Sequence, residues 1–342
     1  MSKREWHESS NTTDNMPETI ACCDIGGTKV LIGLVDSTGR IIARDKYLVG
    51  ELRSGPALSA ELVRRLDALL ASVGLVRSDL LGMGCSMAGM IDLSRGFVYS
   101  APPLGWQDFP LKQTLQQAIC LPVAVEMDAY AMTLGEAAHG AGMGAQCLAG
   151  IIVGTGIGAG LILDGRPYHG CKGLAGEFGH MTIVPDGPLC NCGNMGCLEA
   201  LAAGPAVAAR ARGALEMGRS TLLRELAAGH VECVTSEMVF DAARQGDAAA
   251  LDIVADTARY LGLGLSNLIT LLNIEAIVLS GGVVQGGADL LLPLITRVTD
   301  AHRGYWTHAV DVRIAVGTLG DDAALLGAAQ ALQFVLSGVD FA

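Results

Sequence analysis

TIACCDIGGTKVLIGLVD, residues 19–36, and CLAGIIVGTGIGAGLILDGRPY, residues 147–168, share one design. Each is an apolar run, a glycine turn and a second apolar run. Short apolar stretches rich in Ile and Val, bounded by glycine, predict paired strands. After the first pair, DSTGR turns into IIARDKYLV, so the chain opens on a three-strand meander. SAELVRRLDALLASVG then places Leu62, Leu66, Leu69 and Leu70 at helical spacing. LLGMGCSMAGMID reads as a strand running into a loop, PLKQTLQQAI as a helix, PVAVEMD as a short strand and AYAMTLGEAAHGA as a further helix. The second glycine hairpin restarts the pattern. A long helix over 252–272, the strand AIVLS before Gly281-Gly282, and a closing helix in DDAALLGAAQALQFVL follow. Residues 200–250 read as Ala- and charge-rich helices without chemistry of their own. Alternating apolar strands and helices predict an α/β architecture, and two similar halves predict a duplicated fold with a cleft between them.

Composition narrows the function. A chain of 342 residues has room for about two domains. With 51% apolar and 17% charged residues it is not a disordered chain. Aromatic residues are 4% and the net charge is −12, which argues against nucleic acid and against an anionic membrane as partner. The mean hydropathy of +0.41 raises the question of a membrane span. Residues 141–163 are uncharged and long enough to cross a bilayer, but they are glycine-rich and lack a basic flank. They read better as strand, turn, strand. Residues 1–18 are polar with no apolar h-region, which predicts a disordered lead and a cytoplasmic protein. Its ten cysteines are then thiols or metal ligands rather than disulfides.

The two glycine turns are candidate phosphate cradles. In Asp24-Ile25-Gly26-Gly27-Thr28-Lys29, backbone N–H groups can converge on an anion with no Cβ in the way. Thr28 adds a hydroxyl, Lys29 a charge, and Asp24 a carboxylate able to hold Mg2+ through water. An ordinary hairpin with Asp as turn former fits the spacing as well. Gly154-Thr155-Gly156-Ile157-Gly158-Ala159-Gly160 contains G-x-G-x-x-A, but LILDGR after it is strand and turn, not the helix of a dinucleotide site. A second phosphate hairpin or a merely glycine-packed one remain the readings. Gly281-Gly282 is a further place where backbone can approach a flat ligand such as adenine.

His180, Cys190, Cys192 and Cys197 are spaced H-x9-C-x-C-x4-C. Three thiolates and an imidazole complete a closed tetrahedral site, which points to structural Zn2+. Three reduced thiols in a loop is the alternative. Glu177 and Glu199 bracket this site, and rigidly held carboxylates accept hydrogen bonds from sugar hydroxyls; otherwise they support the ligands or lie at the surface.

Together these residues resemble the ROK family of repressors and sugar kinases, within the actin, Hsp70 and hexokinase superfamily. The resemblance spans residues 19–335. Glu177-Phe178-Gly179-His180 followed by CNCGNMGCLE at 190–199 carries it most specifically, and DIGGTK, GTGIGAG, LSGG and LGDDAALLGAA agree in order and spacing. It implies a two-domain ribonuclease H-like ATPase fold: a small domain of 19–129 with 322–342, and a large one of 130–321 carrying the zinc loop. It implies that Asp24, Gly26, Gly27, Thr28 and Lys29, and then Gly154, Thr155 and Gly156 through Gly158, bind ATP phosphates with Mg2+, and that Gly281 and Gly282 meet the adenosine. His180 matches a residue that both ligates zinc and faces the sugar, and Glu177 and Glu199 match carboxylates on the sugar hydroxyls. Asp128 matches the base that accepts the proton of the 6-hydroxyl, although a helix N-cap explains it locally.

Three positions depart from the family pattern, all on the sugar side. The Asn expected before the catalytic Asp is Met127, the Pro-Gly loop is Ala88-Gly89, and Ala-Pro-Asn is Ala101-Pro102-Pro103. A thioether cannot make the hydrogen bonds of an amide, so the expectation is a hexose kinase of the glucokinase or N-acetylmannosamine kinase sort, with altered preference at C3 or C4. A repressor of the same family would carry a DNA-binding unit ahead of this body, and 18 polar residues are too few for it. A silent sugar-binding protein is the remaining alternative. The resemblance also implies a homodimer or homotetramer.

Overall fold

The computed structural model describes residues 18–219, 221–304 and 311–338. The chain opens with β1 (Thr19–Ile25), β2 (Lys29–Asp36) and β3 (Ile41–Leu48), then α1 (Gly55–Ser72) and β4 (Leu80–Met87). A small antiparallel sheet follows, β5 (Met90–Asp92), β6 (Phe97–Ala101) and β7 (Trp106–Phe109). Next come α2 (Leu111–Ile119), β8 (Val123–Met127) and α3 (Asp128–His139). The second half has β9 (Leu148–Val153), β10 (Ile157–Leu163) and β11 (Arg166–Pro167). Helices α4 (Leu198–Ala202), α5 (Gly204–Glu216), α6 (Leu223–Leu226), α7 (Ser236–Arg244) and α8 (Ala248–Leu272) follow. It closes with β12 (Ala276–Ser280), α9 (Gly282–His302), β13 (Arg313–Val316) and α10 (Asp322–Leu336).

Among the described residues two five-stranded sheets form, in the orders β3-β2-β1-β4-β8 and β11-β10-β9-β12-β13. Each combines an antiparallel glycine hairpin with parallel strands. The duplication read from the two glycine stretches is therefore a duplication of sheet topology. Leu58, Leu62, Leu66, Leu69 and Leu70 of α1 are buried in the first core, and Ser54 caps the helix by accepting the Ala57 N–H. The second core gathers β9, β10 and β12 with α5, α7 and α8. α3 and α10 pack against each other between the two sheets.

The uncharged stretch 141–163 is a loop, β9, a glycine turn and β10. Among the described residues no helix is long and apolar enough to cross a membrane. Asp164 and Gly165 both have positive φ, 52° and 71°, in a two-residue turn that leads β10 into β11. The sheet of β5 to β7 went unread in the sequence, because strands of three to five residues broken by Gly and Pro carry too few positions for a periodic signal. The expected disordered lead, apart from Glu18, lies outside the described residues, as do the last four residues of the expected small domain.

Candidate active site

A cavity of about 670 Å³ opens between the two sheets. One wall is apolar and comes from the first half: Ala88, Gly89, Pro102, Pro103 and Met127. The opposite wall is polar and comes from the second half, with Glu177, His180, Asn191 and Glu199. A second cavity, of about 250 Å³, is lined by Asp24, Gly26, Gly281, Gly282, Gln285 and Asp321 among others. Ala88, Asp128 and Ile152 line both, so the two spaces meet at these three residues. A third cavity, of about 470 Å³, continues past Gly154, Thr155 and Gly282 and is walled by Gly204, Pro205, Ser236 and Glu237. The stretch 200–250 thus does contribute to the site, which its composition of small and charged helix formers gave no reason to expect.

Asp128 is delivered by β8 and is the first residue of α3. Met127, not Asp128, occupies the N-cap position, and the Asp128 Oδ1 accepts the N–H of its neighbour Ala129 at 2.8 Å. The local N-cap explanation therefore does not describe it. Burial raises its proton affinity above the usual carboxylate range, opposed by the backbone N–H groups of Ala129 and of Asp128 itself. A carboxylate with raised affinity, held at a helix start, is suited to accept a proton.

Asp24, at the end of β1, accepts the Ser86 hydroxyl at 2.8 Å. Burial pushes it up to about 6; the Ser86 bond and Lys29 lower it, while Asp128 and Asp321 raise it. Asp24 and Asp128 line one small cavity together, an arrangement that a hard, oxygen-loving cation such as Mg2+ fits. Lys29 does not stand free: its Nζ is 2.9 Å from Asp321 Oδ2, which Lys46 also approaches at 3.2 Å. In the sequence Asp321 and Asp322 stand in LGDDAALLGAA, and nothing local pairs Asp321 with Lys29. The pairing needed the closing helix to return beside the first hairpin.

Not every glycine N–H in the two turns is available. That of Gly26 is bonded to the Lys29 carbonyl at 3.0 Å, and that of Gly154 to the Gly156 carbonyl at 2.9 Å. Gly27 and Thr28 in the first turn, with Thr155 and Gly156 in the second, are the donors left for an anion. Gly281 is required as glycine: its φ is +92°, and a Cβ would lie 2.5 Å from the Val153 carbonyl oxygen.

His180, Cys190, Cys192 and Cys197 come together, with ligand atoms all within 4.8 Å of one another. Cys192 Sγ lies 3.7 Å from Cys197 Sγ, and Cys190 Sγ 3.7 Å from His180 Nδ1. Ligands at ~2.3 Å from a tetrahedral metal have their sulfurs roughly 3.8 Å apart, so the residues fit the ion. His180 Nε2 is turned the other way, 3.7 Å from Glu177 Oε2. Glu199 follows Cys197 into α4, and its Oε2 accepts the Ile157 N–H at 2.9 Å. The His180 and cysteine cluster, the second glycine hairpin and both acidic residues therefore form one connected wall. Asn191 and Tyr130, which also line it, carried no sequence signal beyond their neighbours.

A model of the ROK family matches residues 20–333. The chain is 37% identical over 314 residues to a glucokinase of Halalkalibacterium halodurans, which covers 89% of this chain and 92% of the relative. A putative xylose repressor of a Caldicellulosiruptor species is 31% identical over 304 residues, covering 89% of this chain and 75% of that one. Among solved structures, a ROK family glucokinase from Streptomyces griseus in complex with glucose and AMPPNP superposes with a TM-score of 0.74. Its identity is 35%, over 91% of this chain and 98% of that one. The chain belongs to the ROK family.

Proposed function

We propose that the protein is an ATP-dependent hexose kinase that transfers the γ-phosphoryl group to the sugar 6-hydroxyl, with Asp128 as the base. One observation carries this reading: Asp128 lines both the polar-walled cavity and the glycine-lined one, so one acidic residue borders both spaces. The glucokinases among its relatives and the glucose- and AMPPNP-bound structure support it. Phosphoryl transfer needs an acceptor hydroxyl in line with the phosphate, a carboxylate for its proton and cations on the phosphates. In this reading Glu177, Glu199 and His180 hold the hydroxyls of the sugar, and Gly89 and Met127 form its other wall. Gly27, Thr28, Thr155 and Gly156 hold phosphate, while Gly281 and Gly282 approach the adenosine. Asp24 would hold Mg2+, which would supply positive charge to the phosphates. His180, Cys190, Cys192 and Cys197 would hold a structural Zn2+, which would tie the polar wall together. The proposed domain division, 19–129 with 322–342 against 130–321, puts this cleft between the two. ATP as substrate and a cleft stabilised by reduced thiols suit a cytoplasmic enzyme.

The apolar wall favours a narrower reading. Ala88, Pro102, Pro103 and Met127 offer no side-chain hydrogen bond to the sugar edge they face. A hexose changed at C3 or C4, such as a 3-amino sugar, loses less there than it would against an amide. A coupled ADP-release assay over glucose, mannose, N-acetylglucosamine, N-acetylmannosamine, allose and 3-amino sugars tests both levels. Turnover with at least one hexose is expected. Sugar binding without ATP consumption across the panel would instead support a sugar-sensing or silent binding protein of the same family.

A further inference from the structure

Glu126 and His169 form a buried pair that the proposed chemistry does not use. His169 Nε2 lies 3.0 and 3.1 Å from the two Glu126 carboxylate oxygens, and both side chains are almost fully enclosed, at 3% and 0% exposure. With Glu126 ionised, the His169 Nε2 donates to it. Burying such groups is costly unless they serve one another, and here each serves the other.

The pair joins two segments that both end in the cleft. Glu126 is the penultimate residue of β8 in the first sheet, two before Asp128, and its Oε1 also accepts the Met127 N–H at 2.9 Å. His169 follows β11 of the second sheet, on the loop that runs to Gly176 and Glu177. Its carbonyl accepts the Ala175 N–H at 2.9 Å, and its ring stacks on Tyr130 with centroids 4.3 Å apart. The Tyr130 hydroxyl in turn donates to the carbonyls of Tyr168 and Ala175. The strand end carrying the base and the loop carrying a sugar-side carboxylate are thus fastened at one point between the sheets.

We propose that Glu126 and His169 are positioning residues that set Asp128 against the 168–177 loop, and so fix the sugar relative to its base. This rests on the kinase reading above. Displacements of about 1 Å at a reacting pair cost on the order of 100-fold, so a flexible clasp here is felt in turnover.

The test compares wild type with Glu126→Gln, His169→Gln and the double variant, measuring kcat, KM for sugar and for ATP, and sugar affinity by calorimetry. Glu126→Gln keeps the volume and an oxygen for the Met127 N–H. Each single variant is expected to lower kcat roughly 10–100-fold and weaken sugar binding several-fold, with the KM for ATP within twofold. The double variant, in which two amides face each other, is expected to lose less than the product of the singles. Folded single variants with kcat and sugar affinity within twofold of wild type would overturn the proposal, as would losses that multiply in the double variant. If one single variant does not fold, the other single and the double decide: a double whose turnover matches that of the folded single within threefold supports the pair, and a further loss of tenfold or more overturns it. Calorimetry reads the clasp even when wild type shows no turnover, so a failed kinase reading and a failed clasp give different results.

Discussion

A Cβ placed on Gly156 would lie 2.6 Å from Glu199 Oε2, the same oxygen that accepts the Ile157 N–H at 2.9 Å. The turn proposed to hold phosphate and the carboxylate proposed to hold sugar are therefore in direct contact. Gly156→Ala is expected to push the Glu199 carboxylate aside and break its bond to Ile157, because a side-chain tip yields before backbone does. Losing one charge-assisted bond costs about 1.5–3 kcal/mol. The sugar KM is expected to rise by roughly tenfold or more, with zinc content unchanged. An unchanged sugar KM in Gly156→Ala would show that Glu199 does not bind substrate.

Asp24 makes stability depend on pH in a direction opposite to most carboxylates. Burial raises it from 3.8 to about 6 in the folded chain. Between roughly pH 4 and 6 the folded state holds this proton more tightly than the unfolded one, so stability falls as pH rises through that window and stays lower above it. Asp24→Asn removes the charge and its desolvation cost, about 1–3 kcal/mol. In magnesium-free buffer at pH 7.5 the variant is expected to melt ~1–4 °C higher than wild type, and near pH 4 the two are expected to coincide. Its kinase activity is expected to fall steeply all the same. A variant less stable than wild type at pH 7.5 would mean that Asp24 is held by partners, not merely enclosed.

The parts of this molecule that were legible in its sequence are those where chemistry is local. The two glycine hairpins, the amphipathic α1 and the H-x9-C-x-C-x4-C spacing each sit within one short stretch. What the sequence did not disclose depends on distant segments meeting. Lys29 and Asp321 are 292 residues apart, and Glu126 and His169 are 43 apart. Neither pair has a periodicity or spacing of its own. The wall made by Gly204, Pro205, Ser236 and Glu237 was overlooked for the same reason: those residues are ordinary helix starts until α5 and α7 pack beside Gly282.

The metal reading is checked by stoichiometry. Cys192 is an exposed ligand candidate, so replacing it disturbs no core packing. Purified wild type is expected to hold about one zinc per chain, and Cys192→Ser to lose most of it together with several degrees of thermal stability. Metal content near zero in an active wild-type preparation would leave three reduced thiols and remove zinc from the account.

Met127 is the test of sugar preference. Met127→Asn is expected to raise kcat/KM for glucose relative to 3- and 4-position analogues by roughly 10-fold or more, since a new amide on an apolar wall rewards a hydroxyl that meets it. If the ratios across the analogues stay where they are in wild type, the Met127 wall does not select at those positions.

The proposed role of Asp128 as the base for phosphoryl transfer to a hexose can be read from NMR of the products formed from ATP and the preferred hexose by wild type and by Asp128→Asn at matched zinc content. A phosphomonoester on C6 is expected with wild type, and a rate lowered about 100- to 10,000-fold with Asp128→Asn, at nearly unchanged sugar affinity. Phosphorylation at another position, no phosphorylation of any hexose by wild type, or an Asp128→Asn rate within a few-fold of wild type would contradict it.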